Sequence, residues 1–94
     1  MYIYSALLKL MKGDKIHNRL SVLREERGLS RKELADKVGV NFQTIGYLER
    51  GEYNPSLDLA LDLCAVFGLP VEVVFSRQPF RPLSEELHTL KQIP

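Results

Sequence analysis

Two histidines and one cysteine are the side chains that most readily do covalent or metal chemistry, and their spacing assembles none of it. His17 and His88 stand far apart, and neither lies near a Ser/Asp or Cys/Asp arrangement of recognisable type. The sequence contains no Gly-rich phosphate loop and no His/Cys/Asp cluster at metal-ligand spacing. The single cysteine, Cys64, has no partner for an internal disulfide. Placed among Leu61, Leu63 and Phe67, it reads as a small buried hydrophobe, because apolar surroundings raise a thiol's pKa and blunt its reactivity. The chemistry that remains is recognition of anions. Arg31 and Lys32 follow Ser30 at a helix start, where unpaired backbone amides and cations both attract phosphate. The competing reading of this pair is a solvated helix start. The expectation is a non-enzymatic binding protein with no cofactor and no metal.

Short helices must position these groups. Ile16, Leu20, Leu23 and Arg27 recur at spacings of three and four, which predicts a first helix from Ile16, stopped by Gly28. Ser30 and Glu33 form a capping box for a second helix whose inner face is Leu34, Ala35 and Val38. Gly39 ends it. Asn41 caps a third helix that turns Ile45 and Leu48 inward and runs through Arg50 to Gly51. After the Asn54-Pro55 turn, Ser56 caps a fourth helix with Leu57, Ala60, Cys64 and Phe67 along one face, joined by Leu61 and Leu63. Pro70 begins a short fifth helix with Val71, Val74 and Phe75. Residues 76–82 hold two prolines and are expected to be extended, with a last helical turn or two from Ser84 carrying Leu87 and Leu90. Only residues 1–5, through their YIY alternation, suggest a strand.

The 94 residues are 45% hydrophobic and 27% charged, which fits one small folded domain rather than a disordered chain. Residues 12–76 are expected to form that domain, with an extension at 1–11 and a tail at 77–94. The net charge of +1 hides a mild asymmetry. Residues 12–53 hold nine basic and seven acidic groups, whereas residues from Asn54 onward hold three and five. Such a bias does not by itself identify a nucleic-acid partner; what matters is whether a few cations share one face. Residues 1–11 are apolar but too short to span a bilayer, and they lack a basic leader and a small-residue cleavage site. A cytoplasmic location with no membrane contact is the expectation, and Met11 would make a natural chain start.

The three-residue turn Gly39-Val40-Asn41 between the second and third helices suggests a helix-turn-helix. There the resemblance becomes specific. The sequence resembles the Cro/C1-type (XRE) helix-turn-helix family over about residues 12–76, most closely its short single-domain members. The matching positions include Leu23-Arg24, Gly28-Leu29, Glu33-Leu34-Ala35, Gly39-Val40, Thr44-Ile45, Leu48-Glu49, Gly51, Pro55 and Phe67-Gly68. The resemblance implies an all-α, five-helix, lambda-repressor-like DNA-binding fold. It also implies that residues 30–38 cross the DNA backbone and residues 41–50 form the recognition helix.

On that implication, Phe42, Gln43, Gly46 and Tyr47 face the bases. Gln43 is the principal candidate, since its amide can pair with adenine N6 and N7, an arrangement worth about 1–3 kcal/mol of discrimination. Phe42 departs from the polar residue usual in the family; it either packs on a thymine methyl or turns to Tyr47 or a protein interface. Gly46 departs too, either permitting close backbone approach to DNA or reducing selectivity. Arg31, Lys32, Asn41, Thr44, Arg50, Tyr53 and Asn54 match phosphate-contacting positions, and Arg24 and Glu49 match a structural ion pair.

One recognition helix reads few base pairs, so a homodimer on a palindrome is expected. The apolar residues offered for its interface are Leu59, Val66, Phe80, Leu83, Leu87 and Leu90, or Tyr2, Ile3, Tyr4, Leu7 and Leu8. The function this implies is sequence-specific binding of double-stranded DNA by a transcriptional regulator, with repression as the better guess. The alternative is the antitoxin of a toxin–antitoxin pair, whose 77–94 tail binds a protein partner. No small-molecule effector is inferred, because no second domain is large enough to hold one.

Overall fold

The structure is a computed structural model and describes residues 16–81. In chain order these form β1 (His17–Asn18), α1 (Leu20–Glu26), α2 (Arg31–Val38), α3 (Phe42–Glu49), α4 (Leu57–Phe67), α5 (Val71–Val74) and β2 (Phe75–Ser76). The architecture is the expected set of five helices, with one addition. The strand and helix suggested for residues 1–5 and 84–90 lie outside the described residues, as do Tyr2, Ile3, Tyr4, Leu7, Leu8, Leu83, Leu87 and Leu90.

The addition corrects the start of the first helix and the expectation of no further strand. His17 pairs with Ser76 and Asn18 with Phe75 in a two-stranded antiparallel ladder. Asn18 Oδ1 then accepts the Leu20 amide at 3.0 Å, so the helix begins at Leu20 rather than Ile16. Ile16 still packs against the core, but from outside any helix, just before β1. Apolar spacing records which side chains go inward, whereas a distant partner strand decides the backbone conformation.

The helix-turn-helix forms through local chemistry. Ser30 Oγ accepts the Glu33 amide at 3.0 Å, and Glu33 Oε1 accepts the Ser30 amide at 3.0 Å. These bonds also hold the Glu33 carboxyl below its ordinary pKa, the backbone bond contributing most. Gly39 ends α2 at φ +73°, a left-handed conformation that costs any residue with a Cβ. Asn41 Oδ1 accepts the Thr44 amide at 2.9 Å and starts α3 two residues later. Leu34, Ala35, Ile45 and Leu48, all nearly inaccessible, lock α2 against α3.

The core is completed by Leu20, Leu59, Ala60, Leu63, Cys64, Phe67, Val74 and Phe75. Here Ala60, Leu63, Cys64 and Phe67 of α4 are buried as expected, and the departures are at Leu57, Leu59 and Leu61. Leu59 is buried in the core rather than free for a partner, while Leu57 and Leu61 are 72% and 49% exposed. The buried stripe is 59, 60, 63, 64 and 67, the expected face turned so that it takes in Leu59 and leaves Leu57 and Leu61 outside. An almost wholly apolar helix such as LDLALDLCAVF permits either stripe by periodicity, and the packing of α2 and α5 selects one. Val66 is half-buried against the core, and Phe80 lies 4.2 Å beneath the Arg19 guanidinium. Burial pushes the Cys64 thiol pKa up, as a packed side chain requires. No helix among the described residues is long and apolar enough to cross a membrane.

Candidate nucleic-acid interface

With Ile45 and Leu48 turned inward, the opposite side of α3 faces solvent. It carries Phe42 and Tyr47, 52% and 48% exposed, with Gln43 and Arg50 also exposed. Phe42, Gln43, Gly46, Tyr47 and Arg50 line one shallow cleft, and its far wall is Arg31 from the first turn of α2. The base-facing candidates therefore share a surface with two of the phosphate candidates, Arg31 and Arg50. Lys32 stands on the same first turn, 76% exposed and 3.3 Å from Asp36. An exposed pair of this kind is worth little and leaves the ammonium ready to exchange partners. Tyr53 and Asn54 are exposed in the turn after α3.

At the start of α3, Asn41 Oδ1 accepts from both Thr44 N and Thr44 Oγ1, the latter at 3.0 Å. The Thr44 proton is thereby committed within the cap, and Asn41 keeps its Nδ2 as a donor at the helix N-terminus. Gly46 is buried, because the Arg50 side chain lies across it.

The face is braced from behind by charge. Arg24 Nε donates to Glu49 Oε2 at 2.6 Å, and Arg24 Nη1 donates to the Leu29 carbonyl at 2.9 Å. The Glu49 side chain is only 3% exposed and Arg24's 11%. The hydrogen bond to Glu49 raises the Arg24 pKa against the opposing effect of burial. Sequence reasoning missed a third member: Arg31 Nε donates to Glu49 Oε1 at 2.9 Å. One carboxylate thus ties α1 and the start of α2 to the end of α3. The signal was the cation at 31, which comes near Glu49 only once the turn folds α3 back on α2.

Two further ties carried no sequence signal. Asn18 Nδ2 donates to the Leu48 carbonyl at 2.8 Å, and Arg27 Nη2 donates to the Phe67 carbonyl at 2.8 Å. Both place a donor on a carbonyl in the last turn of a helix, where the regular i to i+4 bonds run out. Among the described residues there is no group of three or more His, Cys, Asp or Glu arranged to hold a metal ion.

A helical pair joined by a tight turn, with an exposed second helix and cations beside it, defines a helix-turn-helix protein. A helix-turn-helix family model matches residues 20–74, more than half of the sequence, and the chain belongs to that family, in its Cro/C1 (XRE) branch. It is 43% identical over 60 residues to an uncharacterized HTH-type transcriptional regulator of Archaeoglobus fulgidus, covering 64% of this chain and 86% of that protein. It is also 43% identical over 58 residues to the uncharacterized HTH-type transcriptional regulator YgzD of Bacillus subtilis, covering 62% and 88%. The crystal structure of a hypothetical transcription factor from Neisseria shares the fold, with a TM-score of 0.58, 22% identity and 76% of each chain covered. The protein is a DNA-binding regulator by family and not an enzyme.

Proposed function

We propose that this protein is a cytoplasmic transcriptional repressor that binds a palindromic operator as a homodimer, with α3 in the major groove. The observation that carries the reading is the outward face of α3. It presents Phe42, Gln43, Tyr47 and Arg50 on a helix held rigid from behind by Ile45, Leu48 and the Glu49 ion pairs. A major groove admits one helix, and rigid elements place side chains against base edges better than loops do. Gln43 reads adenine, and Phe42 packs against a thymine methyl. Arg31, Lys32, Asn41, Tyr53 and Asn54 hold the backbone on either side, fixing orientation without specifying sequence, while Thr44, whose amide and hydroxyl both donate to Asn41 Oδ1, secures the cap.

Two copies are required because one α3 contacts too few base pairs to define a site. Repression is favoured because occluding a promoter needs only occupancy.

Fluorescence anisotropy with duplex from upstream of the protein's own gene, against scrambled duplex at two salt concentrations, tests this reading. Binding should favour the natural sequence and weaken with salt, and Gln43→Ala should lose roughly ten- to hundred-fold of the preference. Absence of binding at low salt would remove the DNA reading.

A further inference from the structure

Side chains of an α-helix lean toward its N-terminus, so a long residue at one position covers the residue four before it. At the end of α3 the covering residue is Arg50 and the covered one is Gly46. A Cβ built on Gly46 would stand 3.1 Å from Arg50 Nη1 and 3.8 Å from Cζ and Nη2. The guanidinium thus occupies the space a side chain at 46 would take, halfway along the exposed face. The Tyr47 ring lies beside it, 5.2 Å from Cζ to the centroid. Glu52 Oε1 accepts from Nε at 3.1 Å. That bond uses the inner edge of the fork and leaves Nη1 and Nη2 as donors beside Gln43 and Phe42, in the cleft all of them line.

We infer that Arg50 is a base-reading residue, its guanidinium delivered to the recognition face by the missing side chain at Gly46 and directed at a guanine. The inference rests on α3 being the recognition helix. It moves Arg50 from the phosphate-contacting set, where the family resemblance had put it. Arginine pairs two donors with guanine O6 and N7, the commonest specific major-groove contact. A fork already laid across Gly46 beside the Tyr47 ring loses less side-chain freedom on binding than an extended one. Glycine weakens a helix interior, and its presence at 46 has a positional reason once Arg50 lies over it.

Selection of bound duplexes from a randomised pool tests this, with wild type, Arg50→Lys, Arg50→Ala, Gly46→Met and Gln43→Ala, each checked for helical content and thermal unfolding. The wild-type site should contain a guanine in each half that Arg50→Lys reads roughly ten-fold or more less well. Gly46→Met should lose the same guanine although Arg50 is intact, whereas Gln43→Ala should lose a different position. A guanine preference retained in Arg50→Lys would overturn the inference. So would a Gly46→Met variant with unchanged preference. Uniform weakening of all sequences in Arg50→Ala, with the salt slope reduced by about one, would return Arg50 to the phosphate contacts. If wild type enriches no site at all, the recognition reading fails and the Arg50 assignment goes with it.

Discussion

Glu49 is the residue on which most of the interface geometry depends. Its buried carboxylate serves both Arg24 and Arg31, so its loss strands a nearly buried guanidinium and frees an exposed one. Glu49→Ala should destabilise the fold by about 3–5 kcal/mol in chemical denaturation, the cost of breaking a buried pair from one side. Arg31→Ala should cost far less, because that side chain is 49% exposed. Gly46 should behave in the opposite sense. Alanine there meets only the tip of a flexible arginine, so Gly46→Ala should stabilise the protein by up to about 1 kcal/mol through helix propensity. The Arg24–Glu49 match was legible because a family resemblance spans both positions. Arg31's link to Glu49 was not, since 18 residues separate them and only the folded turn brings them together.

At the scale of elements, the caps and turns are written locally and were readable. Ser30, Glu33, Gly39, Asn41 and Ser56 each act within three or four residues of their own position. Gly39→Ala should cost about 1–2 kcal/mol, since alanine must take a left-handed conformation at φ +73°. The capping box also has a pH signature. Because folding lowers the Glu33 pKa, its stabilising effect is present above the ordinary carboxylate range and is lost as pH falls through the lowered folded value. Glu33→Gln should therefore show a flatter loss of stability toward acid. What local reasoning could not decide was whether Leu59 or Leu57 with Leu61 completes the inward face of α4, and whether residues 17–18 join α1 or a strand. Both depend on partners more than fifty residues away or on neighbouring helices. Leu59→Ala should cost about 2–5 kcal/mol and Leu57→Ser under about 0.5 kcal/mol, which checks the observed stripe by denaturation.

For the molecule as a whole, net charge says little. The sum is +1, whereas the proposed recognition surface gathers Arg31 at the start of α2 and Arg50 at the end of α3 in one cleft. The dimer predicted for operator binding should appear in sedimentation as a concentration-dependent two-fold mass, and a monomer throughout would contradict the palindromic reading. The central claim, that the outward side of α3 with the start of α2 is the DNA-binding surface, is tested most directly by NMR. Isotope-labelled protein would be titrated with a duplex it has selected from a random pool. Amide and side-chain shifts should concentrate on residues 30–32 and 41–54, with the Gln43 and Arg50 side chains among the largest. Shifts concentrated instead around Leu57 and Leu61 on α4, with α3 unmoved, would contradict the claim.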